Sequence, residues 1–207
     1  MKRRLSLAIL ICLTFTANAV ALDLKTPFDT PNLAPAPTGH EYLLNALDAS
    51  GGEMEEVVVE QVIEGITYRM WLFWMFNMAD YYRIWCPLLH FDAVTTTSPS
   101  GEMRVLIKEM IWPYYTELYA DPKDGTTYVL DENQHEVKVA SLVHKAIPTP
   151  RGIKLRSTLV IPKMAAEKPD PSLPFPSFKF AFKLHVLTEM QDLKRFLPEL
   201  YHQNTGK

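Results

Sequence analysis

His185 and Glu189, four residues apart, interrupt an apolar stripe made by Phe178, Phe182, Val186, Leu193, Phe196, Leu197 and Leu200. That spacing predicts a helix over 178–201 with one buried face. Side chains four apart project from the same face, close enough to hold one ion, and a carboxylate inside an apolar stripe is costly unless it is paired or ligated. Half of a divalent-metal site is one reading of the pair. A His–Glu hydrogen bond that satisfies two core residues is the other.

Glu109 raises the same question from a strand. Met103, Val105, Ile107 and Ile111 alternate with Arg104 and Lys108 in the period of two that marks a half-buried strand. Glu109 shares the apolar parity, whereas Glu102 has the opposite one and should face water. A strand-end carboxylate in solvent is the plainer alternative. His90 follows Pro87 at a helix-to-strand junction, where a lone histidine can equally be a loop or capping residue. Together His90, Glu109, His185 and Glu189 would form a nitrogen-and-oxygen donor set suited to zinc, with manganese or iron also fitting.

The elements that must position these residues follow from the rest of the chain. Runs at 55–63 and 66–76 are β-prone and read as strands joined across Gly65, with a short helix at 79–85 that Pro87 ends. Further strands are expected at 126–130, 137–143 and 152–161, after a turn at 121–125. A proline-rich connection at 169–176 leads to the last helix. This order suggests an α+β fold of the START-like helix-grip kind: a curved antiparallel sheet around one long C-terminal helix, with a cavity between them. The aromatic residues Tyr68, Trp71, Phe73, Trp74, Phe76, Tyr81, Tyr82 and Trp85 are core by default, and some of them would line such a cavity. His40, His135 and His202 lie in polar surroundings and read as surface residues; His144 would end a strand.

The 207 residues suit one domain. Residues 1–21 read as a secretory signal peptide, with Lys2, Arg3 and Arg4, then an apolar run, then small residues at Ala17, Ala19 and Ala21. The run is shorter than the roughly 18 residues a membrane span needs, and Ile11 before Cys12 argues against a lipid anchor. The expectation is an exported protein, periplasmic or secreted, with no membrane span. Residues 22–52 form a Pro-rich lead-in with one helical-looking piece at 41–47, and 53–207 form the domain. Loss of the leader takes the formal charge from −3 to about −6, so nucleic acid is not an expected partner. Cys86 would be the one cysteine left, which excludes an internal disulfide. No nucleophile elbow, Gly-rich phosphate loop or CxxC is present.

Two segments resemble a known family. Residues 64–90, E-G-I-T-Y-R-M-W-L-F-W followed by Y-Y-R-I-W-C-P-L-L-H, are similar to the Gly-x-x-x-x-Met-x-Trp/Phe and Tyr-x-x-Trp-x-Pro-x-x-His segments of the phloretin and diacetylphloroglucinol hydrolases. Residues 185–201, H-V-L-T-E-M-Q-D-L-K-R-F-L-P-E-L-Y, resemble that family's closing His-x-x-x-Glu-Met-x-x-Leu helix. The resemblance implies a START-like, zinc-dependent hydrolase that cleaves the carbon–carbon bond between an acyl group and a phenolic ring, acting on a small aromatic ketone. It implies Zn2+ held by His90, His185 and Glu189, with Glu109 the strand glutamate that fits best. It also implies Tyr82 and His144 as catalytic residues that orient oxygen or move a proton. The same cavity without chemistry would make an exported carrier of a lipid or aromatic metabolite, and the Pro-rich lead-in could instead dock the chain into an envelope complex.

Overall fold

Alternation decides the inner surface of the sheet. In the computed structural model, which describes residues 39–111, 114–167 and 177–206, Ile153, Leu155, Ser157, Leu159 and Ile161 all turn inward and are at most 5% exposed. Their neighbours Lys154 and Arg156 turn outward and pair with Glu60 on the adjoining strand. Seven strands are built this way: β1 (Met54–Glu64), β2 (His90–Thr97), β3 (Met103–Ile111), β4 (Tyr114–Ala120), β5 (Thr126–Leu130), β6 (Glu136–Thr149) and β7 (Gly152–Pro162). They form one antiparallel sheet in the order β1-β7-β6-β5-β4-β3-β2. The helices are α1 (Gly39–Ala49), α2 (Tyr68–Trp85), α3 (Lys163–Glu167) and α4 (Phe178–Thr205).

Helix α4 starts at Ser177, whose hydroxyl accepts from the Phe180 N–H, and ends at Gly206 in the left-handed region. Its expected stripe is buried throughout, with His185 and Glu189 inside it. Gln61 of β1 donates to the Val186 carbonyl and accepts from Gln191, which fixes α4 against the sheet. The α+β helix-grip arrangement read from the sequence is the one observed. Among the described residues no helix is long and apolar enough to cross a membrane.

The expected strand at 66–76 is a correction. Residues 68–85 form the single helix α2, into which the short helix expected at 79–85 merges. Gly65, at a φ of 80°, turns the chain out of β1, and Thr67 then caps the helix by accepting from the Met70 N–H. Trp71, Trp74, Tyr82 and Trp85 are buried and Met78 is partly so, a helical spacing that outweighs the strand preference of aromatic side chains. Phe76 and Tyr68 are the exceptions among the expected core aromatics, at 85% and 39% exposed.

Three other expectations change. The helical piece at 41–47 extends over Gly39–Ala49, and its Leu43 and Ala46 join the core, so the packed body begins upstream of residue 53. Strand β4 carries no turn or alternation signal strong enough to have been read, yet its whole length pairs with β3 from Ile111 to Val105. Glu102, just before β3, faces water and Glu109 faces inward as expected, but Arg104 on the polar side is buried. Its guanidinium sits 3.1 Å from Asp121 and 3.6 Å from Glu136, over the Tyr128 ring. The leader at 1–21, most of the lead-in and the connection at 169–176 lie outside the described residues.

Candidate metal centre

The centre is assembled from three elements. His90 opens β2 and pairs directly with Glu109 on β3, which places the two side chains opposite one another. The register shifts immediately afterwards, between His90 and Asp92, and such a bulge re-aims the side chains beside it. The third element, α4, brings in His185 and Glu189 from one face. Cross-strand pairing and helical spacing thus supply two donors each.

All four converge. The His90 Nε2 lies 3.2 Å from Glu189 Oε2 and 3.7 Å from Glu109 Oε2. The His185 Nε2 lies 3.1 Å and 3.7 Å from the same two atoms. Donor atoms of His90, Glu109 and His185 lie within 4.8 Å of one another, a buried group that could hold a metal ion. His90, His185 and Glu189 are at most 7% exposed, so each charge is felt at low dielectric.

The electrostatics follow. Burial alone would lower the His185 pKa, but the charge of Glu189 and then Glu109 pushes it up to about 10. Burial would raise the Glu189 carboxyl, yet His185 and His90 hold it well below the usual carboxylate range. Glu109 is lowered in the same sense, against burial, by His185 and His90. Two buried carboxylates facing two imidazoles carry excess negative charge when the rings are neutral, and a divalent cation is what balances it.

Tyr82 completes the surroundings. Its hydroxyl donates to Glu109 Oε2 over 2.5 Å, and its ring stacks on His90 with centroids 4.3 Å apart. Trp85 packs edge-on against the same imidazole and donates from Nε1 to the Glu189 carbonyl. The Nδ1 atoms of His90 and His185 are buried without partners among the described residues. The His90 ring is therefore oriented by aromatic packing rather than by the outer hydrogen bond common around metal-bound histidine. Burial, and then the charge of Glu109, raises the Tyr82 pKa well above its ordinary value, so the phenol keeps its proton at neutral pH.

No protein-family model and no curated protein matches the chain. Among solved structures, the Zhui aromatase/cyclase from a Streptomyces species is similar at 15% identity and a TM-score of 0.42, over 73% of this chain and 96% of that one. An uncharacterized protein from Rhizobium leguminosarum is similar at 13% identity and a TM-score of 0.35, over 71% of this chain and 96% of that one. A protein from Mesorhizobium loti is similar at 15% identity and a TM-score of 0.33, over 70% of this chain and 98% of that one. Likenesses of that size transfer no chemistry to this chain.

Of the residues singled out by sequence, His90, Glu109, His185, Glu189 and Tyr82 come together. His144 does not touch them. It lies within β6 rather than at a strand end, facing inward, with its Nδ1 2.8 Å from Ser157 Oγ and its ring edge-on to Trp71. Burial lowers its pKa, while Glu189 and Glu109 pull it partly back. His135 and His202 are exposed and His40 is half-buried. A cleft of about 370 Å³ lined by Gly65, Tyr68 and residues 148–152 opens at the β1–α2 and β6–β7 turns, not over the four ligands. Ser157 and Gln61 were not singled out by sequence, and Trp85 was read only as one of the core aromatics. For Ser157 the signal existed, as the single polar residue in an otherwise apolar inward row.

Proposed function

We propose that the protein is an exported, zinc-dependent hydrolase that cleaves the carbon–carbon bond between an acyl group and a phenolic ring. The observation that carries this reading is the convergence of two imidazole Nε2 atoms and two carboxylates beside a protonated tyrosine. Four donors placed tetrahedrally around zinc at its usual bond lengths stand about 3.3 Å apart. The four nitrogen–oxygen separations here run from 3.1 to 3.7 Å, and the three residues whose donor atoms all lie within 4.8 Å of one another are His90, Glu109 and His185. When bound, the cation supplies Lewis acidity toward a ketone oxygen and lowers the pKa of water.

The chain's own residues do the rest. Tyr82 is a neutral phenol whose one Oη–H is given to Glu109, which fixes the direction of the hydroxyl and leaves its oxygen lone pairs to accept from a phenolic or water proton. His144, with its lowered pKa, is a neutral imidazole at physiological pH and can hold or give a proton from the sheet side of the interior. Trp71, Tyr82 and Trp85 are buried beside the histidines, and aromatic faces of this kind suit packing against a flat phenolic ring. In the reaction the ring-carbon to acyl-carbon bond breaks and a bond from the acyl carbon to a water oxygen forms. One water proton ends on the ring carbon, giving a carboxylic acid and the deacylated phenol.

The test is metal analysis of the purified full chain together with incubation with 2,4-diacetylphloroglucinol and phloretin, following release of the acid. Stoichiometric zinc and turnover are expected. A wild type carrying no stoichiometric metal overturns the reading. Tight binding of the aromatic ketone without turnover, retained after Glu109→Gln and Glu189→Gln, would establish the carrier instead.

A further inference from the structure

Ser157 is the one polar side chain in the inward row Ile153, Leu155, Ser157, Leu159, Ile161 of β7, and it is 0% exposed. A hydroxyl placed there without a partner would carry the full cost of its desolvation. Its partner is His144, which stands directly opposite on β6 and whose Nδ1 lies 2.8 Å from Oγ. Among the described residues Oγ has no second side-chain or backbone hydrogen bond. That asymmetry settles the direction. If Nδ1–H were the donor, the buried hydroxyl proton would have no acceptor, whereas donation from Oγ–H to Nδ1 leaves only lone pairs unmet.

We propose that Ser157 is a positioning residue that holds His144 in the Nε2–H tautomer, so that the ring presents a hydrogen-bond donor to a carbonyl or phenolic oxygen bound between sheet and helices. The oxygen ligand follows from the proposed function and rests on it; the tautomer does not. Trp71 packs edge-on against the His144 ring, with centroids 6.2 Å apart, and keeps it from turning. Ser157 is not a nucleophile in this arrangement. At 0% exposure, in a row of aliphatic neighbours, its Oγ has among the described residues one hydrogen-bond partner, the imidazole.

The experiment is long-range proton–nitrogen NMR on the purified full chain with nitrogen-15 histidine, the His144 signals being assigned by their loss in His144→Gln. In the wild type, Nε2 is expected to be protonated and Nδ1 to show the shift of an unprotonated acceptor. Ser157→Ala should move the ring to a tautomer mixture, and Ser157→Thr, which keeps the hydroxyl, should restore the wild-type pattern. Should either variant fail to fold, Ser157→Cys retains the volume with a weaker donor and is expected to shift the tautomer part of the way. An Nδ1–H tautomer in the wild type, or a tautomer unchanged in Ser157→Ala or Ser157→Cys, overturns the assignment. The measurement needs no substrate, so it succeeds or fails independently of whether acylphenols are hydrolysed. Where turnover is present, Ser157→Ala is expected to lower kcat about tenfold or more while KM stays within about twofold, the split of a group acting on the transition state.

Discussion

Tyr82 lies flat on the His90 imidazole, with centroids 4.3 Å apart and planes 12° from parallel. The same tyrosine donates to Glu109, the residue paired with His90 across the β2–β3 ladder. One side chain therefore packs on one metal-competent residue and hydrogen-bonds another.

Tyr82→Phe separates these two actions. The stacked ring stays and the donor goes, so metal content should remain at the wild-type level while the hydrogen bond to a charged group, worth about 1.5–3 kcal/mol, is lost. Turnover is expected to fall by about 10²-fold or more. Metal analysis beside steady-state kinetics checks both halves, and loss of metal in this variant would show that Tyr82 acts through binding instead.

His185→Ala removes one donor and leaves Glu189 and Glu109 buried without it. Breaking a buried charge pair on one side costs about 3–5 kcal/mol. The variant is expected to lose bound metal and to melt well below the wild type, and added zinc should raise the wild-type Tm but not that of the variant. Equal stabilisation of both proteins by zinc would place the ion elsewhere.

Proton release gives an independent reading. In the metal-free protein the His185 pKa of about 10 means that the ring is protonated at pH 7, and a metal ligand must be neutral. Zinc binding at pH 7 should therefore release about one proton, and affinity should rise with pH until about 10. Titration calorimetry in buffers of different ionisation enthalpy measures this directly; a release near zero would contradict it.

Arg104 tests the fold apart from the site. Arg104→Met keeps much of the volume but leaves Asp121 and Glu136 facing each other unneutralised, an expected loss of about 3 kcal/mol. Metal content should not change, since the cluster shares no residue with the centre. Denaturant unfolding with parallel metal analysis distinguishes the two effects.

What could be read from the sequence depended on whether one period dominated. The α4 stripe and the odd-numbered face of β3 each have a single clear repeat, and from them came the inward placement of His185, Glu189 and Glu109. Helix α2 has two competing signals. Its residues are individually strand-prone, while Trp71, Trp74, Met78, Tyr82 and Trp85 recur at helical spacing, and burial against α4 decided between them. Arg104 was hidden for a different reason: its neutralising partners come from beyond β4 and from β6, and no local pattern announces a partner so distant in the chain. His144 was read as ending its strand, whereas β6 runs on to Thr149, through Pro148.

The pairing of His90 with Glu189 joins positions 99 apart in sequence. Among the described residues, which contain one cysteine, no disulfide can tie the early strands to the last helix. An ion shared between them would serve as a removable cross-link. By the chain-entropy argument, closing a loop of about 100 residues restricts the unfolded ensemble by about 4.7 kcal/mol when the link is permanent. Here the link would be reversible, so folding and metal supply would become one equilibrium.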